Sequence, residues 1–447
     1  MTGSPTRNPA GMPEGMPDWM DEGLAHLWLP YTQMKTAPAP LPVASTEGVR
    51  IRLTDGSELV DGIASWWTAA HGYRHPHIEA AVKRQLETLP HVMLGGLMHE
   101  QAATLAARLA RMLPGDLDRV FFCESGSVSV EIAMKMAVQY WLNKGERRTR
   151  FLSFTGGYHG DTFVTMSVCD PEEGMHTMFR GVVPEQLIAD LPVDDDSTAR
   201  FEALLAAKGH EIAAVLVEPL VQGAGGMRFH DAATLQRLRA ACDRHGILLV
   251  FDEIFVGFAR TGLAMFACEA TGVLPDILTL SKALTGGTLP LAATVASKKV
   301  FDAFWDDDPL KALMHGPTYM GNALACAAAN ASLDLFEQEA RLGQAQAIGR
   351  HLAAGLEPAR GLPGVRDVRV LGGIGVIELS HLGDAAWLKQ RFREEGVWLR
   401  PFGNILYTTP ALTIGEDDLN RLTTALVKVA GDWSARFGTH GPLEKGE

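Results

Sequence analysis

Asp252 and Lys282 are the two side chains whose types and setting point most directly to chemistry. Residues 247–251 (ILLVF) form a continuous apolar run with the length of a strand buried on both faces of a parallel sheet, and Asp252 stops it. A second run, 276–280 (DILTL), leads straight into Ser281, Lys282 and Ala283, so a lysine also stands where a strand gives way to loop. Open α/β sheets bind ligands in the crevice beyond the carboxyl ends of their strands, where this carboxylate and this amine can meet. The amine can condense with an aldehyde, and the carboxylate can keep a ring nitrogen protonated. Taken alone, a surface lysine and a helix-capping aspartate would look the same.

Pyridoxal 5'-phosphate is the cofactor that needs both groups. The residues around them, DEIFVGFARTG (252–262) and PDILTLSKALTGG (275–287), resemble the signature of the class III pyridoxal-phosphate aminotransferases. The resemblance extends from about Trp28 to about Phe402, and within the family it is to the branch that serves biotin biosynthesis. It implies an α/β fold of fold-type I, with a large domain built on a mostly parallel seven-stranded sheet and a smaller α/β domain. It further implies Lys282 as the cofactor lysine and catalytic base, Asp252 on the ring nitrogen, S-adenosylmethionine as amino donor, and 8-amino-7-oxononanoate as acceptor. The product would be 7,8-diaminononanoate, made by a homodimer whose active site lies at the subunit interface. Another class III ω-aminotransferase, an enzyme of the same pathway using lysine as donor, and a catalytically idle binding protein on this scaffold are the alternatives.

The elements that must position these groups can be read along the chain. A short strand, 120–123, is followed by Gly126 and Ser127 and then a helix over 128–143, a natural phosphate cradle because free amides and the positive helix end face an anion. Ser127 is equally suited to be an ordinary N-cap. Strand 150–154 ends at TGGYHGD (155–161), whose glycines leave Tyr158 free to lie flat against a ring; a structural tyrosine is the alternative. The family's GYHG motif assigns Tyr158 to cofactor and substrate contact.

Trp66 and Trp67 read as core or interface packing, or as pocket lining, because they sit in a glycine-rich loop. In the family the SWW motif lies in the substrate pocket and the tyrosine of PYT, Tyr31 here, places a hydroxyl nearby. Gly316, Pro317 and Thr318 precede a helix over 323–337 and could hold phosphate through Thr318 and backbone amides. By resemblance this turn crosses the dimer interface and completes the partner subunit's site. Arg400 of RPFG has the planar fork suited to a carboxylate, although most arginines are simply solvated; in the biotin-pathway branch this arginine binds the oxononanoate carboxylate. Three positions depart from common family patterns. Ala224 stands where many members carry a glutamate, a change the biotin branch shares, Ala259 replaces a glycine, and Phe255 occupies an often polar position.

Composition narrows the rest. A net charge of −13 without a basic cluster argues against a nucleic-acid surface. Five cysteines, odd in number and without CxxC spacing, read as reduced thiols of a cytoplasmic protein, and no metal site is expected. There is no run of ~18 apolar residues for a membrane helix, and HExxH, GxSxG and GxxxxGK[ST] are all missing. The expected organisation is a flexible Pro/Gly-rich leader (1–20), an N-terminal segment (21–75) contributing to the small domain and the pocket, a large cofactor-binding domain (76–335), and a C-terminal small domain (336–447). A hairpin is expected to turn at Asp55 and Gly56.

Overall fold

The computed structural model describes residues 17–171 and 177–438. Its largest sheet has seven strands: β1 (Leu117–Cys123), β2 (Arg150–Phe154), β3 (Leu187–Ala189), β4 (Ile212–Val217), β5 (Leu248–Asp252), β6 (Ile277–Leu280) and β7 (Ala292–Ser297). They run in the order β1-β7-β6-β5-β4-β2-β3. Only β7 is antiparallel to its neighbours, β6 and β1, so the sheet is mostly parallel as expected. Every residue of β4 and β5 is buried, which explains why their sequences are unbroken apolar runs and not alternating patterns. The helix Ala232–His245 delivers the chain to β5. Asp231 caps it through Thr234 N, and Gly246 ends it at φ +58, a left-handed turn that costs glycine little.

The expected hairpin forms between Arg50–Leu53 and Glu58–Asp61. It belongs to a four-stranded sheet whose far member is Val397–Trp398, pairing parallel with Glu58–Asp61, so the chain ends up close to itself across more than three hundred residues. Beyond it, Val365–Leu371, Ile374–Leu379 and Ile405–Thr408 make a three-stranded antiparallel sheet. A 22-residue helix, Glu416–Phe437, packs there through Leu419, Leu422, Leu426, Val429 and Trp433, all buried. That helix was not anticipated, although its apolar residues recur at the 3–4 spacing of one helix face.

Residues 1–16 of the expected leader lie outside the described residues; Asp18–Leu24 forms a short helix with Met20 buried and Asp18 and Asp21 in its first turn, where acidic groups favour the helix dipole. All five cysteines are buried and free. No helix among the described residues is long and apolar enough to cross a membrane.

Arg260 bolts the small sheet to the loop after β5. Its guanidinium donates to the carbonyls of Pro410 (2.7 Å) and Gly373 (3.3 Å), and its own carbonyl accepts from Gly373 N (2.9 Å). The adjacent Gly372, at φ +52, lies against Thr261 so closely that a Cβ would strike the Thr261 carbonyl. We therefore expect Gly372→Ala to lower unfolding stability by about 2–3 kcal/mol or more, combining left-handed strain with a backbone clash. Gly56→Ala, also at positive φ but with nothing within 4 Å of its Cβ position, should cost only about 1 kcal/mol. Urea denaturation of the two variants checks the contrast.

Candidate active site

Asp252 ends β5 and is 6% exposed, so its charge has to be met inside the protein. Three donors meet it: His159 Nδ1 on Oδ2 (2.8 Å), and the Ile254 amide (3.2 Å) and Thr279 hydroxyl (3.3 Å) on Oδ1. Burial pulls the His159 pKa down, but the bond and charge of Asp252, aided by Glu218, outweigh it and leave the imidazole above its ordinary value. His159 Nδ1 is thus the buried partner that faces the carboxylate.

Lys282 follows β6 at φ +44, and its Nζ lies 4.8 Å from the Trp67 ring centroid. Burial lowers its pKa below the usual lysine range, opposed by the carboxylates of Asp252, Glu218 and Asp161. Glu218, just past β4, accepts from the amides of Tyr158 (2.9 Å) and Gly223 (2.8 Å), and burial pushes it up to about 7. It ties the tyrosine loop to the loop holding Ala224.

The cradle at the start of helix Gly126–Asn143 has a division of labour. Ser125, not Ser127, is the N-cap, accepting from Val128 N. Ser127 Oγ instead accepts from Asp161 N (3.1 Å). Gly160, at φ +124, approaches Ser127 so closely that a Cβ would collide with it, and a Cβ on Gly126 would stand 3.1 Å from Ile254. These glycines keep a cavity open.

That cavity, about 210 Å³, brings together Gly126, Ser127, Tyr158, Asp252, Lys282 and Trp67 of the expected residues. Beside it, Tyr31 packs edge-on against Trp66 (6.1 Å) and Arg400 Cζ stands 4.3 Å from the Trp66 ring centroid. The Tyr31 hydroxyl lies 3.3 Å from that of Tyr158 and donates to the Asp161 carboxylate; burial and that carboxylate push its pKa up to about 12. Gly316, Pro317 and Thr318 do not line the cavity. Their loop is held to the same subunit by Lys135 Nζ on the Met314 carbonyl (2.8 Å) and by His91 Nε2 on the Thr318 carbonyl (3.0 Å).

Sequence reasoning missed His159, Glu218 and Ser125. His159 lay in plain view within GYHG, and Glu218 closes a buried strand just as Asp252 does. Phe255, noted only as a departure, packs on Trp67 with centroids 4.3 Å apart. Ala259 has φ +61, as does Phe258, so the missing glycine leaves a non-glycine residue in the left-handed region at about 1 kcal/mol. The tryptophans carry more strain of this kind: Ala64, Ser65, Trp66 and Trp67 have φ of 46, 49, 56 and 74°, at about 1–2 kcal/mol each.

A buried relay supports the lysine turn. Arg341 Nε donates to His71 Nδ1 (2.9 Å), which fixes the proton of the neutral ring on Nε2; this nitrogen meets Ser332 Oγ (3.0 Å), and that hydroxyl donates to the Ala283 carbonyl (3.3 Å). An arginine cannot reverse its role, so the direction is set.

The family model described as "Aminotransferase class-III" matches residues 31–430. Adenosylmethionine-8-amino-7-oxononanoate aminotransferase of Mycobacterium leprae is 46% identical over 91% of this chain and 95% of its own length. Its namesake from Corynebacterium glutamicum is 44% identical over 90% and 96%. Among solved structures, the enzyme of that name from Methanocaldococcus jannaschii superposes with a TM-score of 0.87 at 31% identity, covering 93% of this chain and 98% of that one. An amine transaminase from an uncultivated Pseudomonas species, in its pyridoxal-phosphate-bound form, superposes with a TM-score of 0.83 at 34% identity, covering 91% and 98%.

The residues of the cavity fit pyridoxal phosphate. An amine, an anchored carboxylate, an aromatic side chain and a helix N-terminus opened by glycines are the donor set that its aldehyde, ring nitrogen, ring face and phosphate require.

Burial and the Arg341 charge pull His71 down to about 3. Its folded pKa is depressed below the ordinary 6.5, so its contribution to stability is complete above pH 6.5 and is lost as pH falls from there towards 3. His71→Gln retains an acceptor for Arg341 and a donor for Ser332 without a titrating group. We expect it to fold at pH 7.5 and to flatten the loss of stability between pH 6.5 and 4 by about 1.4 kcal/mol per unit, measured by urea unfolding across pH.

Proposed function

This chain belongs to the class-III aminotransferases, and on that premise we propose that it transfers the amino group of S-adenosylmethionine to 8-amino-7-oxononanoate, giving 7,8-diaminononanoate for biotin biosynthesis. The observation that carries the choice of acceptor is the pair of cations standing over adjacent tryptophans: Lys282 over Trp67 and Arg400 over Trp66. A reacting amine and a carboxylate clamp separated by aromatic walls suit a substrate with a ketone, an apolar chain and a terminal carboxylate. Relatives that bear this activity in their names cover nearly the whole chain.

When bound, pyridoxal phosphate supplies an aldehyde that takes up amines and a protonated ring that draws electrons from the neighbouring carbon. Lys282 Nζ would hold the aldehyde and would serve as the base for the proton on the substrate carbon that bears nitrogen. Its lowered pKa places more of it in the neutral form needed for that task. Asp252, fixed by His159, Ile254 N and Thr279, holds the ring-nitrogen proton, and Tyr158, positioned through Glu218, orients the ring. Gly126 and Ser127 would hold the phosphate, joined by Pro317 and Thr318, which with Gly316 would come across a homodimer interface. Arg400 Nη atoms bind the acceptor carboxylate, with the Tyr31 hydroxyl beside them. The same reading divides the chain into segment 21–75, a cofactor domain 76–335 and a small domain 336–447, and assigns the enzyme to the cytoplasm.

Purified protein loaded with pyridoxal phosphate is expected to form 7,8-diaminononanoate, identified by mass spectrometry, from S-adenosylmethionine but not from lysine. Product from another donor only would overturn the proposal. Lys282→Ala should lower turnover by at least about 10³-fold. Arg400→Ala should raise the KM for 8-amino-7-oxononanoate by about 10- to 100-fold, the usual worth of hydrogen bonds to a charged group.

A further inference from the structure

The left-handed run from Ala64 to Trp67 is unusual because none of its four residues is glycine. Something must hold it, and Asp61 does. This carboxylate is 1% exposed and accepts from the Ile63 amide on Oδ1 (2.9 Å) and from the Ser65 amide (2.7 Å) and the Tyr73 hydroxyl (2.6 Å) on Oδ2. Thr68 Oγ1 closes the turn on the Ser65 carbonyl (3.0 Å).

The held turn touches both ends of the substrate site. On one side Asp61 pairs with Trp398, and Gly62 N donates to the Trp398 carbonyl (3.1 Å), which sets the register of the strand that leads into Arg400. On the other, the turn packs on the loop after Lys282, where a Cβ on Gly287 would lie 3.0 Å from Ala69 N. The two tryptophans it presents then stand one over each cation. Reversing the hand of the turn would send the two rings to the wrong sides of its axis.

We infer that Asp61 is a positioning residue that sets the separation of Lys282 and Arg400 through this left-handed turn, and so determines the chain length of the carboxylate-bearing acceptor. The inference rests on the reading of Arg400 as the acceptor clamp. A rigid ruler is what such selection needs: one methylene changes pocket binding only modestly, whereas misplacement by about 1 Å can cost about 10²-fold in rate.

The test uses Asp61→Asn and Tyr73→Phe in the holoenzyme, with Arg400→Ala alongside. Asparagine presents its amide NH2 where a backbone amide or the tyrosine hydroxyl also donates, so at least one bond of the latch fails while volume is kept. KM and kcat are measured for 8-amino-7-oxononanoate and for homologues one methylene shorter and longer. In cofactor-free protein, the rate of acylation of Lys282 is followed by peptide mapping. Asp61→Asn is expected to raise the acceptor KM by about tenfold, to reduce discrimination among the three lengths by about the same factor, and to speed Lys282 acylation severalfold as Trp67 loosens. Tyr73→Phe, which leaves both amide bonds, should move all three readouts in the same direction by less, and it carries the test if Asp61→Asn does not fold. Unchanged length discrimination and unchanged acylation, with Arg400→Ala still raising the acceptor KM, would overturn this inference alone. If Arg400→Ala leaves the acceptor KM unchanged, the clamp reading fails instead, and the ruler with it.

Discussion

A carboxylate buried at the end of a central strand is the constraint on which the site depends. Asp252 must stay anionic to be useful, yet an isolated charge in the interior is prohibitively unfavourable. The protein answers by burying a hydrogen-bonding imidazole against it. His159 gives up hydration to pair with Asp252, and amide and hydroxyl donors occupy the other oxygen. Once that pair is set, the loop holding His159 has to lie across the end of β5, which carries Tyr158 and Gly160 into the cavity mouth and against Ser127. Tyr158, Gly160 and the start of helix Gly126–Asn143 are thereby placed by one electrostatic requirement.

A second theme is backbone strain concentrated around the cavity. Lys282, the four residues ending at Trp67, and Phe258 with Ala259 all occupy the left-handed region without being glycine. Such conformations persist only where the surroundings overdetermine them. Here the surroundings are buried polar clamps: Asp61 for the tryptophan turn, the Arg341–His71–Ser332 relay for the lysine turn, and Arg260 for the turn that follows β5. Each clamp joins segments distant in sequence, so the precision of the site is bought with long-range contacts and not with local propensity.

The fold leaves substrate choice open. Amine and ω-transaminases share this architecture with TM-scores near that of the Methanocaldococcus jannaschii enzyme. What distinguishes the chain must lie in the walls of the pocket, since fold alone does not fix function. Trp67, Phe255 and Ala224 line the cavity, and Trp66 with Arg400 stands beside it.

Residue patterns alone determined the buried strands that end at Asp252 and before Lys282, the glycine cradle at Gly126 and the capped helix into β5. Each is a local pattern: apolar runs, a stop residue, a cap and a glycine. The seven-stranded sheet was implied by the family resemblance, and its edge strand Leu187–Ala189 carried no such pattern. Tertiary structure alone decided that Ser125 and not Ser127 is the cap, that His159 faces Asp252, and that Glu218 holds Tyr158, because these depend on which loops meet over the sheet edge. It also decided the hand of the tryptophan turn. No propensity scale assigns left-handed φ to Ala, Ser and Trp in succession; only a buried carboxylate with three donors, one of them from Tyr73, makes that conformation the stable one.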